Sequence, residues 1–227
     1  MVDLRSIGIL GGTFNPPHLG HLALARHAKA ELDLERVLLM PAGRSPHKLA
    51  EEDPGALHRL EMCRLAVAGV DGVCACALEI ERGGPSYTVD TLEALHAEHP
   101  DIEVTFILGA DVARTLPSWC EAFKLPRLAH FAVAVRVDSG ANEVLKALRP
   151  WVRTFDRRSL GQQPSGGPIG FLNMPVCNVS SSMVRERVAA GEPVGKLVET
   201  AVAGYIAEHG LYRATALAEA KTGTGTS

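Results

Sequence analysis

Two imidazoles three residues apart, His18 and His21, close the stretch GGTFNPPHLGH at residues 11–21. Gly11 and Gly12 open it, and residues without a Cβ let backbone N–H groups come close to a ligand. Asn15, Pro16 and Pro17 then turn the chain, and proline fits the first position of a helix. The spacing predicts a helix that starts at or just after Pro17, with both histidines in its first turn, on one face, at the positive end of its dipole. Free N–H groups and two imidazole donors at a helix start make an anion site, and phosphate is the obvious anion. The stretch is neither the dinucleotide fingerprint G-x-G-x-x-G nor the Walker loop G-x-x-x-x-G-K-[ST]. Two histidines could also begin a metal site, but no third ligand stands at a fixed spacing from them, so no metal ligand is assigned.

A second polar cluster, NVSSSMVR, lies at residues 178–185. Ser180, Ser181 and Ser182 precede an amphipathic helix predicted over 182–190. One serine serves as an N-cap; three exceed what capping needs. Arg185 follows Ser182 at the spacing where a capping box carries Glu or Gln. A cation is thereby set in the first turn, against the dipole, at a cost of about 0.3–1 kcal/mol. A bound anion would relieve that conflict. Hydroxyls, free N–H groups and a guanidinium together suit a polyphosphate.

Six apolar runs, at 7–10, 37–40, 73–80, 104–108, 131–137 and 169–172, read as strands. Several are continuous rather than alternating, as in parallel strands buried on both faces. Helix-period segments at 19–32, 54–70, 88–98, 121–128 and 142–148 lie between them, and 182–190 and 196–208 follow. The alternation predicts an α/β fold with a doubly wound, mostly parallel sheet and C-terminal helices, whose ligands sit at the carboxyl ends of the strands.

At 227 residues the chain can bury a sizeable core. Residues 1–213 are expected to form a single domain, 161–167 (GQQPSGG) a loop, and 214–227, ending TGTGTS, a disordered tail. A net charge of -3 gives no bulk attraction to nucleic acid. Five cysteines with no C-x-x-C pair argue against a disulfide framework. No run reaches the roughly 18 apolar residues of a membrane helix, and the first ten residues lack a signal-peptide core. The expectation is a cytoplasmic protein with small-molecule partners, no nucleic acid and no membrane; a homo-oligomer stays open.

The element His18-Leu19-Gly20-His21 resembles the H-x-G-H signature of a nucleotidyltransferase superfamily, an element similar to that of class I aminoacyl-tRNA synthetases. The segment from Val179 to Arg185 resembles that superfamily's second motif, I-S-S-T-x-I-R, with Val179, Ser182 and Val184 in place of Ile, Thr and Ile. Two further stretches, GPSYTVDTL at 84–92 and ILGAD at 107–111 followed by LPSW at 116–119, resemble the bacterial nicotinate mononucleotide adenylyltransferases. SPHK at 45–48 is similar to that family's Pro-His-basic segment. The likeness runs from Ile7 to about Arg213.

The resemblance implies a Rossmann-like nucleotidyltransferase fold and transfer of the adenylyl group of ATP, accompanied by Mg²⁺, to nicotinate mononucleotide. The products would be deamido-NAD and pyrophosphate. It implies that Gly11, Gly12, Thr13, Phe14, His18, His21, Gly109, Asp111, Ser181, Ser182 and Arg185 bind ATP, with His18, His21 and Arg185 catalytic. His47, Lys48, Tyr87, Thr88, Asp111, Trp119 and Arg136 would bind the acceptor. Arg136 stands in VRVD, where the family often has two arginines and Pro-Gly.

These acceptor residues also make chemical sense by themselves. Thr88 begins a helix, so N–H groups near Tyr87 and Thr88 can hold a carboxylate. Trp119 can stack on a pyridinium or serve as ordinary core. Asp111 follows a buried strand and can accept from ribose hydroxyls or cap a helix. Two other readings stay open: a transferase of the same superfamily using phosphopantetheine, glycerol phosphate or flavin mononucleotide, and a nucleotide-binding regulator without turnover.

Overall fold

The computed structural model describes residues 5–44, 52–136, 141–153, 169–174 and 177–213. Six strands, β1 (Ser6–Gly12), β2 (Arg36–Pro41), β3 (Val73–Ala75), β4 (Glu103–Gly109), β5 (His130–Arg136) and β6 (Ile169–Met174), form one sheet in the order β3-β2-β1-β4-β5-β6. Every neighbouring pair is parallel. The helices are α1 (Leu19–Glu31), α2 (Ala56–Val67), α3 (Leu78–Arg82), α4 (Thr88–Glu98), α5 (Ala110–Ala113), α6 (Leu125–Leu128), α7 (Ala141–Arg153), α8 (Ser181–Ala189) and α9 (Thr200–Glu208).

Both sheet faces are covered, which is why the strands read as continuous apolar runs. On β4, Ile107 faces one core while Val104, Phe106 and Leu108 face the other. The first core takes Leu22 and Ala25 of α1, Met62 of α2, Val184 of α8 and Val202 of α9. The second takes Leu92 of α4, Leu125 of α6 and Leu148 of α7. The sheet is the doubly wound α/β arrangement that the alternation predicts.

Two segments differ from expectation. The run 73–80 is strand only as far as Ala75, and Leu78 to Arg82 turn into α3. The turn lets Leu78 pack on the second core and brings buried Glu79 to Thr91, whose hydroxyl donates to Oε1 at 2.8 Å. Burial still pushes the Glu79 carboxyl above its usual range, although that hydrogen bond opposes the shift. In 121–128 only Leu125–Leu128 is helical. Glu121 has φ 46°, a left-handed value at which a right-handed helix cannot run. The short α5 and the single 3₁₀ turn Leu116–Ser118 are further helical pieces that the apolar period does not reveal. The expected loop at 161–167 and tail at 214–227 lie outside the described residues.

Candidate active site

The chain winds from β1 to β2 on one side and returns to β4 on the other, and both pair with β1. Diverging connections leave a crevice at the carboxyl ends of the strands. A cavity of about 1500 Å³ opens there, between the ends of β1, β4 and β5. Gly11, Gly12, Thr13, Phe14, His18, His21, Gly109, Asp111, Ser181, Ser182 and Arg185 all line it.

At the start of α1, His18 is the N-cap residue, extended at φ -142° and ψ 169°, and the helix proper begins at Leu19. The N–H of His18 donates to Nδ1 of His21 at 3.1 Å. A ring nitrogen that accepts carries no proton, so the proton of neutral His21 is on Nε2. The two rings stack, 3.6 Å between centroids. Phe14, buried in a left-handed conformation at φ 50°, lies edge-on to His21 at 4.8 Å.

Burial pushes His21 well below its ordinary pKa, and the neighbouring His18 adds to the shift. Burial also lowers His18 to about 4. At neutral pH both rings are uncharged, so they act as hydrogen-bond donors rather than cations. Nδ1 of His18 is buried without a hydrogen-bond partner among the described residues.

The glycine between the histidines keeps the packing tight, since a Cβ on Gly20 would stand 3.0 Å from Nδ1 of His18 and press that ring away. Gly11 likewise yields space to protein rather than only to a ligand: its Cβ would lie 2.8 Å from Cζ of Phe106.

The second polar cluster folds against the first. The N-cap of α8 is Ser180, whose Oγ accepts from the Met183 N–H at 3.2 Å. The expected helix start at Ser182 is thus one residue late, and Arg185 is the fifth helical residue, past the first turn. The conflict with the dipole is weaker than the sequence implies, since the effect fades beyond that turn. Direct bonds hold the guanidinium instead. Arg185 donates to the Asn15 carbonyl at 2.9 Å, to Oε2 of Glu52 at 2.6 Å and to Oγ of Ser182 at 3.4 Å. Freed from capping, the Ser181 hydroxyl donates to the Pro16 carbonyl at 2.8 Å.

Of the residues expected at the acceptor, Asp111 belongs to this cavity lining, whereas Tyr87, Thr88 and Trp119 lie apart from it. Tyr87 is the N-cap residue of α4 and Thr88 its first residue, with no side chain capping the helix. Trp119 is half-buried; its Nε1 donates to the Thr115 hydroxyl at 2.9 Å, and its ring stands edge-on to Phe106 at 6.0 Å. Both Tyr87 and Trp119 pack on the second core. Phe106 therefore touches Trp119 on one side and crowds Gly11 on the other.

Asp111 is exposed at the cavity rim and pairs with Arg114. Capping is not its role, since Gly109 is the N-cap of α5. His47 and Lys48 lie outside the described residues. Arg136 is described by its backbone, which pairs with Met174 at the end of β5. Among the described residues no group of three or more His, Cys, Asp or Glu is arranged to hold a metal ion, and no helix is long and apolar enough to cross a membrane.

Four functional candidates, Asn15, Glu52, Arg59 and Tyr212, have roles that motif reading does not give. Asn15 accepts from the Tyr212 hydroxyl through Oδ1 at 2.6 Å and donates from Nδ2 to the Glu52 carbonyl at 3.3 Å. Glu52 occupies the guanidinium of Arg185. Arg59, only 2% exposed, sits on the face of α2 that also buries Met62, Cys63 and Ala66. A charge on an apolar helix face is the one sequence signal that could have drawn attention to Arg59.

A family model described as cytidylyltransferase-like matches residues 9–187. A probable nicotinate-nucleotide adenylyltransferase of a Synechococcus strain is 41% identical over 208 residues, covering 92% of this chain and 95% of the relative. Its counterpart in Dehalococcoides mccartyi is 40% identical over 213 residues, covering 93% and 98%. Among solved structures, the Plasmodium falciparum nicotinic acid mononucleotide adenylyltransferase complexed with NaAD superposes with a TM-score of 0.69 at 19% identity, covering 92% of this chain and 97% of that one. The match in fold, the two stitched motifs and relatives of this identity along nearly the whole length place the chain in the cytidylyltransferase-like family, among the nicotinate-nucleotide adenylyltransferases.

Proposed function

We propose that this chain transfers the adenylyl group of ATP to nicotinate mononucleotide, forming deamido-NAD and pyrophosphate. The observation that carries the reading is the meeting of His18, His21 and Arg185, from distant segments, around one cavity at the switch point of the sheet. The acceptor's 5′-phosphate has a second pKa near 6 and is mostly ionised at neutral pH. It can attack without a protein base. A phosphate oxygen forms a bond to the α-phosphorus of ATP while the bond from that phosphorus to the α–β bridging oxygen breaks, and pyrophosphate leaves with the electron pair.

Placement and charge neutralisation are then what the protein supplies. His21 and His18 donate to oxygens around the α-phosphate, and the negative charge there draws their depressed pKa values upward. Arg185, Ser181 and Ser182 hold the β- and γ-phosphates, which requires the guanidinium to exchange Glu52 for phosphate. Mg²⁺ would accompany ATP and supply charge neutralisation of its phosphates. Gly11, Gly12, Thr13 and Phe14 shape the phosphate loop, and Gly109 and Asp111 face the nucleoside. On the acceptor side, N–H groups at Tyr87 and Thr88 take the carboxylate and Trp119 the pyridinium face, while His47, Lys48 and Arg136 meet the mononucleotide phosphate. The setting is cytoplasmic, with no nucleic acid or membrane involved.

The test is pyrophosphate release from Mg-ATP with nicotinate mononucleotide, nicotinamide mononucleotide and phosphopantetheine side by side. Turnover with nicotinate mononucleotide is expected to exceed the other two. Turnover with phosphopantetheine alone overturns the acceptor, and silence with every acceptor favours a regulator.

A further inference from the structure

We propose that Arg59 is a positioning residue that sets the ATP half of the site at a fixed distance from the acceptor half. The inference rests on the adenylyl-transfer reading above. The Arg59 guanidinium is buried and divides its donors among three separate segments: NH1 to the Thr13 carbonyl at 2.9 Å, NH2 to the Gly43 carbonyl at 3.1 Å, and Nε to Oδ1 of Asp53 at 2.9 Å. Thr13 belongs to the phosphate loop. Gly43 follows β2, and its own N–H donates to the Ser86 hydroxyl at 2.9 Å. Ser86 also returns a backbone bond to Arg44 at 3.0 Å, and it immediately precedes Tyr87 and Thr88 at the start of α4. A continuous path of hydrogen bonds thus runs from Thr13 through Arg59 and the residue Gly43 to Ser86.

The residue type matters because the planar guanidinium spreads its donors toward acceptors on three separate segments. A lysine keeps the charge but presents a point donor on a flexible stem. Arg59 itself is not among the residues lining the cavity and acts through the Thr13 and Gly43 carbonyls, so its influence falls on how the two bound substrates face each other. In-line transfer is steep in that geometry, and a misplacement of about 1 Å can cost ~10²-fold.

The experiment compares wild type, Arg59→Lys, Ser86→Ala and the double variant. It measures kcat for deamido-NAD formation, and separately the affinity for ATP alone and nicotinate mononucleotide alone by calorimetry. Arg59→Lys is expected to lower kcat by ~10²-fold while each single affinity stays within about threefold. Ser86→Ala leaves Arg59 intact but also removes the Ser86 bond to the Glu79 carboxyl; it is expected to lower kcat in the same direction, and the double variant to lose little beyond Arg59→Lys, because the bond shared by the two variants runs through Gly43. Unchanged kcat in Arg59→Lys, a loss matched by equally weakened binding of each substrate, or fully multiplicative losses would overturn the proposal. Should Arg59→Lys not fold, Ser86→Ala decides by itself: a fall in kcat at constant affinities supports the path, and none overturns it. A wild type silent with every acceptor removes the reading and this inference together, whereas an active wild type with indifferent variants removes the inference alone.

Discussion

The two ends of the crevice are built differently. At the end assigned to the triphosphate, the bonds span the chain: Ser181 to Pro16, Arg185 to Asn15, Tyr212 to Asn15. In the loop from Asp111 to Trp119 they are local. Trp119 bonds Thr115, Thr115 and Ser118 bond carbonyls three residues back, and Asp111 pairs with Arg114. Long-range bonds fix a geometry only after the whole fold has formed, and they resist local change. Short-range bonds let a loop be altered without disturbing the sheet. Under the proposed function, the end held by long-range bonds carries the chemistry, and the locally bonded loop is where selectivity among acceptors can change.

The sharpest way to break this contrast is His21→Ala. If the buried ring donates to the reacting phosphate, turnover in the pyrophosphate assay falls by ~10²-fold or more, with little change in the Michaelis constant of the acceptor. Near-normal turnover removes His21 from the chemistry. At the local end, Trp119→Ala is expected to raise the Michaelis constant for nicotinate mononucleotide by roughly 3- to 30-fold, the range of a cation–π contact, and to leave that for ATP alone. An equal rise for both substrates would mean that Trp119 only packs.

A smaller effect sharpens the rigid end. Glu52 is 40% exposed and holds the Arg185 guanidinium, so an incoming triphosphate competes with it. Glu52→Gln is expected to tighten ATP binding by no more than about fivefold, the scale of an exposed ion pair, measured by calorimetry. Weakened binding would mean that Glu52 positions Arg185 rather than competes for it.

The last effect is on stability. His18 falls from 6.5 to about 4 on folding, so between those values the unfolded chain binds more protons than the native one. Stability is fully present above pH 6.5 and is lost as pH falls towards 4. Melting temperature should drop over that window, and less so in His18→Gln. Identical pH slopes for the two proteins would show that the shift has another source.

The sheet was legible because its strands are buried on both faces and therefore leave unbroken apolar runs, as at Val37 to Met40. The imidazole pair and the serine cluster were legible as spacings. What spacing could not supply was the partner of each group. Nothing local ties Ser181 to Pro16 or Tyr212 to Asn15, and such contacts exist only through the sheet. The cap of α8 is Ser180, which leaves the Ser181 hydroxyl to bond Pro16, a long-range contact that no local spacing announces. Arg59 left only a faint signal, a charge on an apolar helix face, and its role emerges only when three segments converge on it.

The hydroxyl of Tyr212 reaches Asn15 across 197 positions. During synthesis the glycine-proline loop is made 197 residues before this tyrosine, so the nucleotide pocket gains this brace only after all six strands have been synthesised. A nascent or prematurely ended chain lacking Tyr212 carries both signature motifs and still leaves the Asn15 side chain without that clasp.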